Sequence, residues 1–158
     1  MKKSVLLICI LILTVGWMLL IFGFSSQSGT ESQGLSSLLA KPLTKLLMQF
    51  GRERSAEEEA AFYANVELVV RKIAHLTEFA VLGGLLTLLF QCLRIRKLSW
   101  PLLGGVMYAA LDEWHQSFTP GRTSAWTDVL IDSCGVLIGV FICSCIIQHW
   151  RKKHVHHS

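Results

Sequence analysis

The run Val5–Phe24 is 20 residues long and carries no charge. A helix of that length rises ~30 Å, the thickness of a bilayer's hydrocarbon core. Lys2 and Lys3 precede it, and Trp17, Met18, Phe22 and Phe24 fill its far end. A secretory signal has a shorter apolar stretch closed by small residues at a cleavage site, so this segment reads as a retained anchor. It sets the class for everything that follows. Composition agrees: 52% of residues are hydrophobic, mean hydropathy is +0.48, and only 16% are charged, against roughly 25% in ordinary globular domains.

Beyond the anchor the chain alternates polar and apolar stretches. Residues 25–34 are polar and suggest an exposed loop. Leu35, Leu38, Leu39, Leu43, Leu46, Leu47 and Phe50 then recur near helical spacing, with Lys41 and Lys45 between them. That pattern predicts an amphipathic helix in the membrane interface. Pro42 is expected to kink it or start it, and Gly51 to end it. Ser55-Ala56-Glu57-Glu58 has the form of a capping box. It opens a helix that continues into a second span, 73–93, closed by the basic Arg94-Ile95-Arg96-Lys97. A third span, 99–118, starts with Trp100 and Pro101, a proline tolerated in a first turn. Only Leu98–Leu111 is free of charge there, so the helix must carry Asp112, Glu113 and His115 below the membrane surface. Thr119-Pro120-Gly121 makes a turn, and a fourth span covers 129–147. The expected fold is all-α: one membrane domain over 1–158 with four transmembrane helices and an interfacial helix in the loop 25–72. His154-Val155-His156-His157, in the tail 148–158, suggests a disordered end.

The net charge of +4 does not point to nucleic acid, because the basic residues cluster at the ends of apolar runs. Lys2, Lys3, Arg94, Arg96, Lys97, Arg151, Lys152 and Lys153 flank three such ends with no acid among them. The positive-inside rule then predicts cytoplasmic termini and a multi-pass protein of a cell membrane, with Asp112–Arg122 facing out. The five cysteines show neither disulfide nor zinc-ligand spacing.

Within this frame the polar residues fall on stripes. Arg71, His75 and Glu78 follow i, i+4, i+7 on span two. Asp112, His115 and Gln116 share one side of span three. Asp128, Asp132, Gly135 and Gly139 share one side of span four, and small residues at that spacing let helices approach closely. At ~1.5 Å per residue, Glu78, Asp112 and Asp132 come to one level in the outer leaflet. Ionised groups mid-membrane cost ~2.5–3.5 kcal/mol each, so they call for partners, which Arg71, Lys72, Arg122 and the two histidines offer. The plain reading is an ion-pair network that fixes helix packing. The functional reading is an outward polar pocket made by these residues with Glu113. Carboxylates and histidines of this kind can hold a divalent metal, but the spacing assigns none. No cofactor is indicated, and the number of subunits is not encoded in these patterns.

Taken in order, Arg71-Lys72-Ile73-Ala74-His75-Leu76-Thr77-Glu78-Phe79, Asp112-Glu113-Trp114-His115-Gln116, Pro120-Gly121-Arg122, Asp128, Asp132, Gly135 and Gly139 resemble the VanZ-like family of small bacterial membrane proteins, as does Ser25-Ser26-Gln27. The commoner family pattern has Asn where this chain has Asp132. The resemblance implies the bacterial cytoplasmic membrane, a link to teicoplanin resistance, and a role in the cell envelope. Three functions follow. One is an envelope factor whose pocket binds a lipid headgroup, a lipid-linked cell-wall precursor or a glycopeptide. Another is an enzyme on a phosphate- or sugar-bearing lipid, with His75 or His115 as acid or base. The last is a proton relay, for which the spans are few.

Overall fold

The computed structural model describes residues 2–50, 55–122 and 124–155. Among them are five helices and no strand: α1 (Lys2–Ser25), α2 (Gly29–Met48), α3 (Ala56–Cys92), α4 (Ser99–Gln116) and α5 (Trp126–Val155). The protein is an all-α membrane protein. Its α1, α3 and α5 are long and apolar enough to cross a bilayer. The expected third span is α4, 18 residues long. It is shorter and more polar because its end carries Asp112, Glu113, His115 and Gln116, and its place is fixed by packing against α3 and α5. Leu6, Ile12, Leu19, Leu103, Met107, Leu137 and Phe141 face outward. An apolar surface of that extent belongs against lipid.

The core joins all four bundle helices: Ile21 from α1, Phe79 and Leu82 from α3, Ala109 from α4, Val136 and Val140 from α5. α3 and α5 make the largest interface. They can do so because Gly135 and Gly139 of α5 sit against the Leu76 and Ala80 carbonyls of α3, with no room for a Cβ. Two polar ties add to this. Trp17 Nε1–H donates to the Glu78 carbonyl at 2.9 Å, and the Tyr108 hydroxyl donates to the Met18 carbonyl at 2.6 Å.

The capping box at Ser55 forms as the sequence predicts. Ser55 Oγ accepts the Glu58 N–H at 3.3 Å, and Glu58 Oε2 accepts the Ser55 N–H at 3.0 Å. Glu57, Glu58 and Glu59 in that first turn also oppose the helix dipole. The stretch 25–34 is not an open loop. Ser28 and Glu31 form a second capping box, so α2 starts at Gly29. The Ser28 hydroxyl and then its amide hydrogen-bond the Glu31 carboxylate and hold it below the usual carboxylate range. Pro42 neither starts nor ends α2; the helix runs through it. Gly51 and tail residues 156–158 lie outside the described residues, but α5 continues as helix to Val155, further than the expected 147.

The turn after α3 is closed by backbone bonds from Ile95 N–H to the Phe90 carbonyl (2.9 Å) and from Arg94 N–H to the Gln91 carbonyl (3.0 Å). This closure needs a left-handed residue, and Arg94 adopts φ 62°. A side chain there costs ~1 kcal/mol relative to glycine. Arg94→Gly is therefore expected to raise the thermal midpoint in detergent by ~2–4 °C.

Candidate functional site

Asp112 and Gln116 stand one turn apart on α4, so both face the end of α1, where Ser25 is buried. The Ser25 hydroxyl donates to Asp112 Oδ2 at 2.7 Å, and Gln116 Nε2 donates to the same oxygen at 2.8 Å. Gln116 Oε1 in turn accepts Arg122 Nη1–H at 3.0 Å. The rest of the Arg122 fork reaches the last carbonyls of α1 and the residues after it: Nη2–H to Phe24 at 2.9 Å and Nε–H to Gln27 at 3.1 Å. Carbonyls at a helix C-terminus have no partner within the helix, and here a guanidinium supplies it. Burial, and next the neighbouring Arg71, weakens the hold of Arg122 on its proton.

A turn places Arg122. Its N–H bonds the Thr119 carbonyl at 3.2 Å, and Gly121 takes φ 75°. The Pro120 carbonyl accepts the Gly29 N–H at 3.0 Å. This bond sets the start of α2 directly on the turn, where a Cβ on Gly29 would meet the Gly121 carbonyl. Glu113, one residue from Asp112, points elsewhere: its Oε1 accepts the Ala125 N–H at 2.7 Å, just ahead of α5. It fixes the entry of that helix.

From α3 and α5 come the remaining groups. Lys72 Nζ pairs with Asp128 Oδ1 at 2.6 Å, half-exposed. Deeper, His75 Nδ1 lies 4.0 Å from Asp132 Oδ1. His75, Asp112 and Asp132 each present a donor atom, all within 4.8 Å of one another. A cavity of about 100 Å³ is lined by Arg71, Lys72, His75, Glu113, Gln116, Arg122, Asp128 and Asp132, together with Leu68, Gly121 and Ile131. A second, of about 290 Å³, adjoins it between α2 and α3, with Phe24, Leu39, Val70 and Ala74 in its wall. Arg71, His75 and Arg122 line both, and Glu78 lines the second.

Native interiors leave few buried polar atoms without a hydrogen bond. Here Arg71 Nε, His75 Nδ1, Glu78 Oε2 and Asp112 Oδ1 are all in that condition among the described residues. Arg71 and His75 line both cavities and Glu78 the second, whereas Asp112 lies beside them and lines neither. The arrangement contains guanidiniums suited to an anion, and carboxylates with an imidazole suited to a cation.

Arg71, His75 and Glu78 of α3 and Asp128 and Asp132 of α5 line the two cavities, and so does Gln116 of the α4 stripe, but not its His115. His115 turns away from the cavities. It stacks on Phe22, ring centroids 4.4 Å apart, and its Nε2 sits 3.1 Å from Ser26 Oγ. It lines another cavity, of about 200 Å³, with Phe22, Tyr108, Leu111, Asp112 and Trp114. Sequence reasoning missed Ser25 as a buried site residue and Gln27 as an acceptor for Arg122. Their signal was three polar residues directly after an apolar run.

No curated protein and no solved structure matches the chain. Residues 10–148, most of its length, match the VanZ/LLP1 family, and the protein belongs to that family.

Proposed function

We propose that the protein resides in the bacterial cytoplasmic membrane with both termini inside, and that its polar end binds an anionic headgroup in the outer leaflet. The headgroup is the phosphate- or sugar-phosphate-bearing part of a lipid or lipid-linked cell-wall precursor, and the role is in the envelope or glycopeptide response. The orientation rests on the eight basic residues at the opposite end. The binding reading rests on one observation above all. Arg71 Nε is buried without a partner among the described residues, where the polar and apolar cavities meet, beside a second guanidinium, Arg122. Like charges held together repel, and a phosphate between them removes the repulsion while accepting the unused N–H. The apolar walls of the larger cavity suit the first carbons of a lipid tail.

Arg71→Gln removes the charge and the fork but little volume. It is expected to weaken binding of anionic lipid to the purified protein in neutral nanodiscs by 10- to 100-fold, the equivalent of one charge-assisted hydrogen bond at ~1.5–3 kcal/mol. Equal binding by wild type and variant would overturn the headgroup reading. In cells, the same variant at matched membrane level is expected to lose any protection against teicoplanin, with vancomycin as the control. Release of phosphate or sugar from the bound lipid would instead make the protein an enzyme.

A further inference from the structure

We infer that His75, Asp112 and Asp132 form a binding site for one divalent first-row metal ion, of the zinc or manganese kind. Three helices bring one donor each: α3 the imidazole, α4 and α5 a carboxylate. The three donor atoms lie within 4.8 Å of one another. Ligands ~2.1 Å from a common ion stand up to ~4.2 Å apart. Three donors shared by one ion usually stand ~3.0–3.6 Å apart, so the 4.0 Å between His75 Nδ1 and Asp132 Oδ1 and the widest separation close by ~0.5–1.5 Å on binding, within reach of side-chain rotation.

The second observation is independent of the clustering. Asp112 is 3% exposed and Asp132 2%, yet Asp112 Oδ1 and His75 Nδ1 have no hydrogen-bond partner among the described residues. The other oxygen of Asp112 is fully engaged. Ser25 and Gln116 both donate to Oδ2, which fixes the carboxylate plane and leaves Oδ1 unused. This is how outer-shell groups hold a metal ligand in place. Arg122, bonded to Gln116, extends that shell to the turn.

Charge points the same way. Two buried carboxylates without cations are costly in a low-dielectric setting. Two of the nearby basic groups are occupied elsewhere, Lys72 by Asp128 and Arg122 by Gln116 and two carbonyls, which leaves Arg71 as the one cation near the cluster with an unused N–H among the described residues. A dication with a neutral imidazole and two carboxylates gives a cluster of zero net charge. One nitrogen donor favours zinc or manganese over magnesium and calcium, which take oxygen alone. With three protein ligands a coordination position stays open. That an open position would face the headgroup phosphate rests on the reading above; cation binding itself does not.

The test uses the full chain in detergent, stripped with chelator and dialysed against ZnCl2 or MnCl2. Wild type is expected to hold about one ion more per chain than either Asp132→Asn or His75→Gln, and to bind that ion at least 100-fold more tightly. Its melting temperature is expected to rise with metal, and that rise is expected to vanish in both variants. MgCl2 and CaCl2 are expected to give neither effect. Both variants are near-isosteric, and their metal-free melts report whether they fold. Equal metal content and equal metal-induced stabilisation in wild type and a folded variant would overturn the site, showing that protons or water satisfy the cluster instead. Arg71→Gln, which removes none of the three ligands, should retain the ion whether or not it binds lipid, so the two readings fail separately.

Discussion

Gly139→Val is expected to leave little folded protein. A Cβ at this position would collide with the Ala80 carbonyl and stand 3.0 Å from the Gly84 nitrogen. Backbone atoms cannot rotate out of the way as a side chain can, so the two helices must part. Gly135 lies against the Leu76 carbonyl and Gly83 against that of Val136, so the contact is tight along its whole length. Overpacking commonly costs ~1–3 kcal/mol. Here the upper end applies or is exceeded, because separation also loosens Phe79, Leu82, Val136 and Val140, and helix association in lipid depends on such packing. A midpoint ~10 °C below wild type, or aggregation on size exclusion, is the expected readout. Gly16→Val serves as control, since nothing lies within 4 Å of a Cβ there. A Gly139→Val protein that melts like wild type would mean that α3 and α5 are further apart.

Arg122→Lys keeps the charge and is nonetheless expected to fail. The arginine holds the Phe24 carbonyl, the Gln27 carbonyl and Gln116 Oε1 with three differently directed N–H groups. One ammonium at the end of a flexible stem cannot span them. At ~1–3 kcal/mol for each acceptor left without its partner, a loss of ~3 kcal/mol follows. Amide exchange at residues 24–29 should quicken more than exchange in the core of α3. Burial and Arg71 lower the proton affinity of Arg122, but a guanidinium is so strong a base that arginines in proteins stay protonated at neutral pH. Protection that survived in Arg122→Lys would show that only charge matters there.

Much of this arrangement is legible in the sequence because it obeys helical periodicity. The glycines of α5, the Arg71–His75–Glu78 stripe and the capping box at Ser55 all act within one helix, where spacing fixes direction. What escaped is what depends on the neighbour. His115 and Gln116 differ by ~100° about the α4 axis, and nothing in the sequence says that Gln116 lines the cavity while His115 stacks on Phe22. Glu113 caps a helix twelve residues away, and Arg122 bonds carbonyls nearly a hundred residues earlier. The second capping box was hidden in a string of serines, glutamines and glycines whose composition suits a loop. Ser25 looks like the first residue of that loop, and its burial follows only once Asp112 is opposite it.

α3 is one unbroken helix of 37 residues, ~55 Å long and ~25 Å more than a hydrocarbon core requires. One arm is gripped by α5, and the other is tied to α2 through the Ser36–Glu67 hydrogen bond at 3.1 Å. Arg71 and His75 sit between the two arms. Such a rod is a lever with the binding groups at its fulcrum. Leu38, Leu39 and Leu46 point outward from α2, so whatever presses on α2 presses on the arm of α3 tied to it. An uninterrupted helix is stiff, and any tilt of that arm would shift the walls of the cavities at its middle.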